Sequence, residues 1–246
     1  MAKLWKRYTD ELYTGLNYLA SWPPSGRAEV GDVATFQDRS LERYVSIGEL
    51  GIETTTLTGT AVCERGWASA ETNVINPSVA GAAPLQPGLD AGAELTIQFG
   101  AEHAILMRAE RTREESLDRL DRVKRELLRL HDKGIWKREW VLVTHSIRAE
   151  RLIALISSSR EASAKLRLSA GVAEDAGALA SVRGRVKVTH ATGMAYEELG
   201  AEDATPLYQA VRVQERVVRD DRVKRVGKRG RARPDEGRFE VTEVAF

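Results

Sequence analysis

The stretch from residue 112 to residue 214 constrains the fold most, because a helical pattern in it gives way to strand-like alternation. Residues 112–133 predict a charged amphipathic helix, since apolar residues recur every three or four positions, at Leu117, Leu120, Val123, Leu127 and Leu130. Thr112 and Glu115 have the spacing of a capping box, whose side chains bond free N–H groups at a helix start. Gly134 supplies the stop.

Patterns elsewhere predict another helix, which comes first in the chain, and several strands. Residues 3–20 carry an apolar stripe of helical period. Leu95, Ile97 and Phe99 alternate with polar residues and predict a half-buried strand, which residues 103–109 either continue or pair with. The segment 139–156 predicts two strands or one long bent strand. Shorter strands are expected within residues 28–36, 41–52, 53–63, 165–169, 184–192 and 206–218.

Two stretches break these patterns. Residues 76–92 hold three prolines and three glycines, which predicts an irregular loop. Residues 173–180 predict a loop or a single helical turn. We therefore expect an α+β fold, in which a mixed, mostly antiparallel twisted sheet carries a few amphipathic helices.

Composition and missing motifs exclude several classes of protein. The lone cysteine, Cys63, excludes an intrachain disulfide and favours a reducing cytosol. No apolar run reaches the roughly 20 residues of a membrane-spanning helix. The sequence contains no Walker loop, G-x-G-x-x-G, H-E-x-x-H or nucleophile elbow. We expect no enzyme activity, cofactor or metal site.

An alternative interpretation is an enzyme whose site contains two of the histidines. His145 and His190 both lie in predicted strands, and a histidine pair with a carboxylate could bind a metal or transfer protons. Unrelated histidines on two strand faces are the simpler interpretation.

The first helix carries a basic cluster at its start. Lys3, Lys6 and Arg7 occupy the first two turns beside Trp5, where the helix dipole disfavours cations. Trp, Lys and Arg together are typical of contact with anionic lipid headgroups. The alternative is a surface helix that docks by its apolar stripe.

The C-terminal region combines a basic run with an apolar end. Residues 222–233, which we call the basic segment, hold seven Lys or Arg residues and two glycines. Polar, flexible segments are preferred sites of proteolysis, and the cleavage region is expected at Arg225, Lys228, Arg229, Arg231 and Arg233. Residues 239–246, the tail peptide, carry the apolar side chains of Phe239, Val241, Val244 and Phe246. We expect these side chains to be at least partly buried on the folded body, either as an edge strand or in a groove, and the alternation around Val241 favours the edge strand.

The order of these elements resembles the pore-forming domain of gasdermins. The sequence Trp140-Val-Leu-Val-Thr144 after a helix looks like the start of the second extendable strand region of that family. Further similar stretches are residues 41–50, 166–171, 182–196 and 207–213. The likeness covers about residues 3–218 and is carried by element order.

The resemblance implies a protease-activated pore. The chain is similar to the short microbial members, in which a terminal peptide inhibits, so residues 1–221 are expected to form one α+β pore-forming domain and residues 222–246 a basic linker with an inhibitory peptide. The inactive protein would be cytoplasmic. After cleavage by a trypsin-like or caspase-like protease it would form a homo-oligomeric β-barrel pore in the cell (inner) membrane and cause cell death in antiphage defence. Microbial members also use a lipidated cysteine near the N-terminus, a role that does not transfer to the internal Cys63.

The residues are also compatible with other interpretations. Regions 53–109 and 139–196 are each long enough for two membrane strands of roughly 9–11 residues, but ordinary sheets with one wet face show the same alternation. The alternative function is a soluble α+β binding module whose Arg-rich segment binds nucleic acid, with an affinity that falls with salt. The basic segment lacks aromatic residues for base stacking, so we expect no nucleic-acid partner.

Overall fold

Two α-helices, a short 3-10 helix and thirteen strands make up the part of the chain that the computed structural model describes, namely residues 2–37, 40–75, 94–168, 186–215 and 239–244. In chain order they are α1 (Ala2–Leu16), β1 (Leu19–Ala20), β2 (Asp32–Gln37), β3 (Ser40–Ser46), the 3-10 helix (Gly48–Leu50), β4 (Thr56–Thr58), β5 (Cys63–Ala68), β6 (Thr72–Ile75), β7 (Glu94–Phe99), β8 (Ile105–Leu117), α2 (Leu120–Asp132), β9 (Val141–Ser157), β10 (Ser163–Leu168), β11 (Val186–Thr192), β12 (Met194–Glu215) and β13 (Phe239–Glu243). Neither described α-helix is long and apolar enough to cross a membrane.

The strands form two sheets. In the larger, nine-stranded sheet, β9 lies between β12 on one side and β8 and β2 on the other. The smaller sheet has the order β11-β10-β7-β6. Every strand pair in the described residues is antiparallel. The structure therefore confirms an α+β fold with mostly antiparallel strands and two helices.

The centre of the larger sheet is buried on both faces because α1 covers one face and the smaller sheet covers the other. Successive residues of its strands therefore point into different cores. Met107 of β8 faces α1, where it packs with the buried residues Tyr8 and Leu12. Leu106 faces the smaller sheet and packs with residues that include Phe99 and Leu166.

The second helix covers the far end of the same sheet. Val123 and Leu127 of α2 pack on Leu142 of β9, and this group forms the α2-facing core together with Val33, Ile47, Ile52, Leu117, Trp136, Trp140, Val211 and Val213. The opposite face of the sheet is closed by a smaller core around Val143 and Tyr208.

The predicted start of the second helix is wrong. Residues 112–117 belong to strand β8, which pairs with β9 as far as Ser116, and α2 begins only at Leu120. The hydroxyl of Thr112 donates to the carbonyl of Cys63 at 2.9 Å rather than capping a helix. Leu117 lies at the end of β8 but packs in the same core as Val123 and Leu127 of α2. Its position therefore fits the helical spacing of apolar residues, so the predicted helix starts earlier than α2 does.

Three other boundaries differ from the predictions. The first helix ends at Leu16 rather than at residue 20, because Asn17 takes a φ of 57° and the next residues pair as β1 with β12. Residues 103–109 neither continue nor pair with β7, since β8 lies in the other sheet. Within residues 53–63, only Thr56–Thr58 and the first residue of β5 are in strands.

Several predictions are confirmed. Leu95, Ile97 and Phe99 are buried in β7. The segment 139–156 forms one long strand rather than two, the 17-residue β9 that ends at Ser157. Strands β2, β3, β10, β11 and β12 lie within or overlap the stretches expected for them, although β12 already begins at Met194. The predicted loop at residues 76–92 and the predicted loop or turn at residues 173–180 lie outside the described residues.

Candidate functional site: the C-terminal strand on the sheet edge

The tail peptide adds a strand to the edge of the larger sheet. Strand β13, which we call the tail strand, pairs antiparallel with the last five residues of β12, so that Val241 lies opposite Val213 and Glu243 opposite Val211. Beyond the strand, the N–H of Val244 donates to the carbonyl of Ala210 at 2.9 Å. The register is therefore held by backbone hydrogen bonds along residues 210–215.

The apolar residues of the tail peptide contribute to both cores at this end of the sheet. Val241 is partly buried against the α2-facing core. Val244 is only 6 % exposed and packs in the core around Val143 and Tyr208 on the opposite face. The structure thus places Val241 in a partly buried edge strand, and Val244 is buried just beyond the end of that strand. Phe239 pairs within the strand, and Phe246 lies outside the described residues.

The helix α2 also contacts the docked strand. Because α2 packs on Val211 and Val213 of β12 as well as on Val241, the tail strand fills the outer part of a groove that the helix and the β12 edge form together. Removal of the tail strand would uncover backbone N–H and C=O groups of β12 and apolar surface of the α2-facing core. Exposed strand edges of this kind pair readily with other strands.

The link between β12 and β13 is strongly basic. Residues 216–238 contain ten Lys or Arg and four Asp or Glu. The predicted cleavage residues Arg225, Lys228, Arg229, Arg231 and Arg233 all belong to this stretch and lie outside the described residues.

The predicted membrane-contact cluster lies at the start of α1. Lys6 is exposed and Trp5 is partly buried, while the side chain of Lys3 is outside the described set. The guanidinium of Arg7 donates to the carbonyl of Glu102 at 3.0 Å and lies 3.6 Å from carboxylates of Glu11 and Glu71. The helix is docked by its apolar stripe, as the alternative interpretation expected, and lipid contact remains a prediction.

Sequence reasoning missed a buried group of charges at the middle of the larger sheet. The side chain of Arg108 is fully buried, with its guanidinium 3.4 Å from Glu64 and 3.5 Å from Glu110. Arg151 lies 3.7 Å from the same Glu110. Burial lowers the pKa of Arg108, and burial raises the pKa of Glu64 against the opposing effect of Arg108. The alternation of apolar and polar residues along β8 could not reveal this group, because charged residues at every second position predict a strand face that is exposed to solvent.

The two histidines of the enzyme interpretation lie in different sheets. His145 is in β9 and its Nδ1 is 3.1 Å from the hydroxyl of Thr144, whereas His190 is in β11 opposite Lys165. No hydrogen bond or ion pair joins the two rings among the described residues. Within that same part of the chain, no three His, Cys, Asp or Glu side chains converge as a metal site would require.

Two comparisons with known proteins add no relative to this description. No protein-family model matches the chain, and a search of curated proteins finds no match.

Proposed function

We propose that this chain is a gasdermin-like pore-forming protein that its own tail peptide holds inactive. Proteolysis in the basic segment releases the tail peptide, and the released body then assembles with further copies on a lipid membrane. The observation that supports this most is the seating of β13 as an added strand on β12, with Val241 and Val244 packed into the two cores of that end.

The energetics of the docked strand suit a releasable inhibitor. Full burial of one large aliphatic side chain contributes about 1.5–3 kcal/mol, and the tail strand inserts two valines, of which Val241 is only partly buried. Part of this gain is offset by the entropy of ordering the strand. A tether holds the tail strand near its groove at an effective concentration on the order of millimolar. After cleavage the same contact becomes bimolecular, so the tail peptide dissociates when the protein concentration is below the Kd of the contact.

Site-specific cleavage tests the proposal. Residues 227–230 are replaced by the recognition sequence of a specific protease, because the many arginines elsewhere make trypsin a poor reagent. Vesicles containing anionic lipid and a trapped dye should leak after protease is added and stay sealed before. The matched control keeps the native residues and receives the same protease. Vesicles that stay sealed with verified cleaved protein, or that leak equally without cleavage, would contradict the proposal.

The basic composition of residues 216–238 also favours the second function, nucleic-acid binding. That function requires affinity for labelled DNA or RNA that falls steeply with salt and an uncleaved chain that is already competent. Titrations at two salt concentrations, with the uncleaved protein and neutral vesicles as competitor, separate it from the pore-forming function.

A further inference from the structure

The end of the larger sheet where the tail strand docks is a row of five strands. Glu243, Val211, Leu142, Val33 and Val45 are successive partners across β13, β12, β9, β2 and β3. Both faces of this row are covered, one by α2 and the other by the core around Tyr208. In the described part of the chain, β13 and β3 are therefore the two outer strands of the row.

Strand direction distinguishes the row with the tail strand from the row without it. Each neighbour is antiparallel, so β3, β9 and β13 run one way while β2 and β12 run the other. Without β13, four strands remain and the outer strands β3 and β12 run in opposite directions. A second copy in the same orientation can then place its β3 antiparallel beside β12. With β13 present, the same copy would have to pair in parallel.

Strand β3 has an outer edge that suits such a contact. Among the described strands it pairs with β2 alone. Tyr44 on this strand is 59 % exposed. The N–H of Ser46, at one end of this edge, donates to the exposed carboxylate of Glu49 at 2.9 Å, so a side chain and not another strand accepts this backbone hydrogen bond. The edge thus offers backbone groups to a partner strand.

The side chains of β3 resemble those of the tail strand in their placement. Val45 packs partly against the α2-facing core, and Leu41 packs partly against the core on the opposite face. Val241 and Val244 of the tail peptide divide between the same two cores. A β3 strand beside β12 would therefore extend both cores from one copy into the next.

We propose that, once the tail peptide is released, the edge of β12 at residues 211–215 binds β3 of a second copy of this chain, in the direction that β13 had. The inference rests on the proposed release of the tail peptide. Each copy presents one edge of each kind, so the contact joins different surfaces head to tail, and such contacts build closed rings or open chains. The tail strand would inhibit assembly both by covering β12 and by reversing the direction of the outer strand.

Photo-cross-linking tests this contact without assuming a register. A photo-reactive amino acid takes the place of Tyr44, and ordinary and ¹⁵N-labelled copies of the protease-cleavable full chain are mixed with vesicles. After cleavage, cross-linked dimers should join residue 44 of one copy to residues 211–215 of another; before cleavage these dimers should be absent. The matched control carries the probe at Leu57, which is 51 % exposed on β4. It should not reach β12 of a neighbour.

A reciprocal probe in place of Arg212 keeps the test decisive if the Tyr44 probe impairs assembly, and it should reach residues 40–46. If vesicles leak with the cleaved parent protein but both probes cross-link to other regions, or to none, the edge contact is refuted and the proposed function stands. If vesicles stay sealed with the cleaved parent protein and no cross-links form, the proposed function fails and this contact fails with it.

Discussion

Val241 is the residue on which the proposed inhibited state depends most directly, since it is the central residue of the tail strand and packs where α2 and β12 meet. Its neighbour Val244 lies past the strand and inserts into the opposite face. A single polar substitution therefore removes only one of the two anchors and leaves the chain intact.

We expect Val241→Asp to open the uncleaved protein. Val241 is partly buried, so its loss costs less than the ~1.5–3 kcal/mol of a fully buried side chain and raises the open population roughly tenfold. Amide exchange in β13 should accelerate, and vesicles should leak without protease. Val62→Asp introduces the same side chain at a valine that is 43 % exposed on another part of the surface and should do neither. A Val241→Asp protein that stays closed until cleaved would show that this valine does not hold the tail strand.

The buried charges around Arg108 predict a pH dependence of stability. Burial raises the pKa of Glu64, so the folded protein binds its proton more tightly than the unfolded chain. Ionisation of Glu64 then lowers the stability of the fold progressively as pH rises from the ordinary carboxyl pKa to the folded pKa. Below the ordinary pKa both states are protonated and this contribution is absent.

Glu64→Gln removes that titration. As pH rises through this interval, the wild type should lose stability relative to the variant, so the free energy of unfolding of the variant minus that of the wild type should increase. Below and above the interval this difference should be independent of pH. Urea denaturation at a series of pH values measures the difference. A difference that is independent of pH, or that shifts in favour of the wild type as pH rises, would contradict the burial of this carboxyl group.

At the scale of elements, the boundary between β8 and α2 is set by one residue. Arg119 precedes the helix with a φ of 53° and a ψ of 47°, the left-handed conformation, and its side chain caps nothing. The turn lets the chain leave the edge of β8 and return across the sheet as α2, where Val123 and Leu127 are buried.

Replacement of Arg119 by glycine tests this boundary by the sign of its effect. Glycine adopts the left-handed region without steric cost, so Arg119→Gly should stabilise the protein by a few tenths to about 1 kcal/mol. In the helix expected at residues 112–133 the same change would lie inside the helix and cost about 1 kcal/mol. Arg122→Gly, in the first turn of α2, is the control and should show that cost. Chemical denaturation measures both variants.

For the whole molecule, the proposed inhibition depends on a strand that can bind in trans. A synthetic peptide of residues 239–246 should suppress leakage by the cleaved protein at concentrations below the roughly millimolar effective concentration of the tether, because a tail strand that stays docked in the uncleaved chain must have a Kd below that concentration. The same peptide with Val241→Asp should not suppress leakage. Equal suppression by both peptides would show that inhibition does not use the β12 groove.

The local sequence was sufficient to predict the type of a helix or strand where one face of that element is buried along its whole length. Leu95, Ile97 and Phe99 predicted a strand correctly, and Val123 and Leu127 predicted the helical part of residues 112–133, because side-chain period reports directly which face is buried. The basic segment and the apolar tail peptide could also be recognised from composition, and the alternation of apolar and polar residues around Val241 predicted an edge strand.

Tertiary structure decided what depends on residues distant in sequence. Residues 112–117 suit a helix cap or a strand, and their pairing with β9 makes them a strand. Arg108 and Glu110 have the spacing of residues on a solvent-exposed strand face, yet both are buried because other parts of the fold cover them. The strand that receives the tail peptide was equally hidden, since backbone hydrogen bonds carry no side-chain signature and any open edge could have accepted it. Only the fold shows that this edge is β12, beside α2.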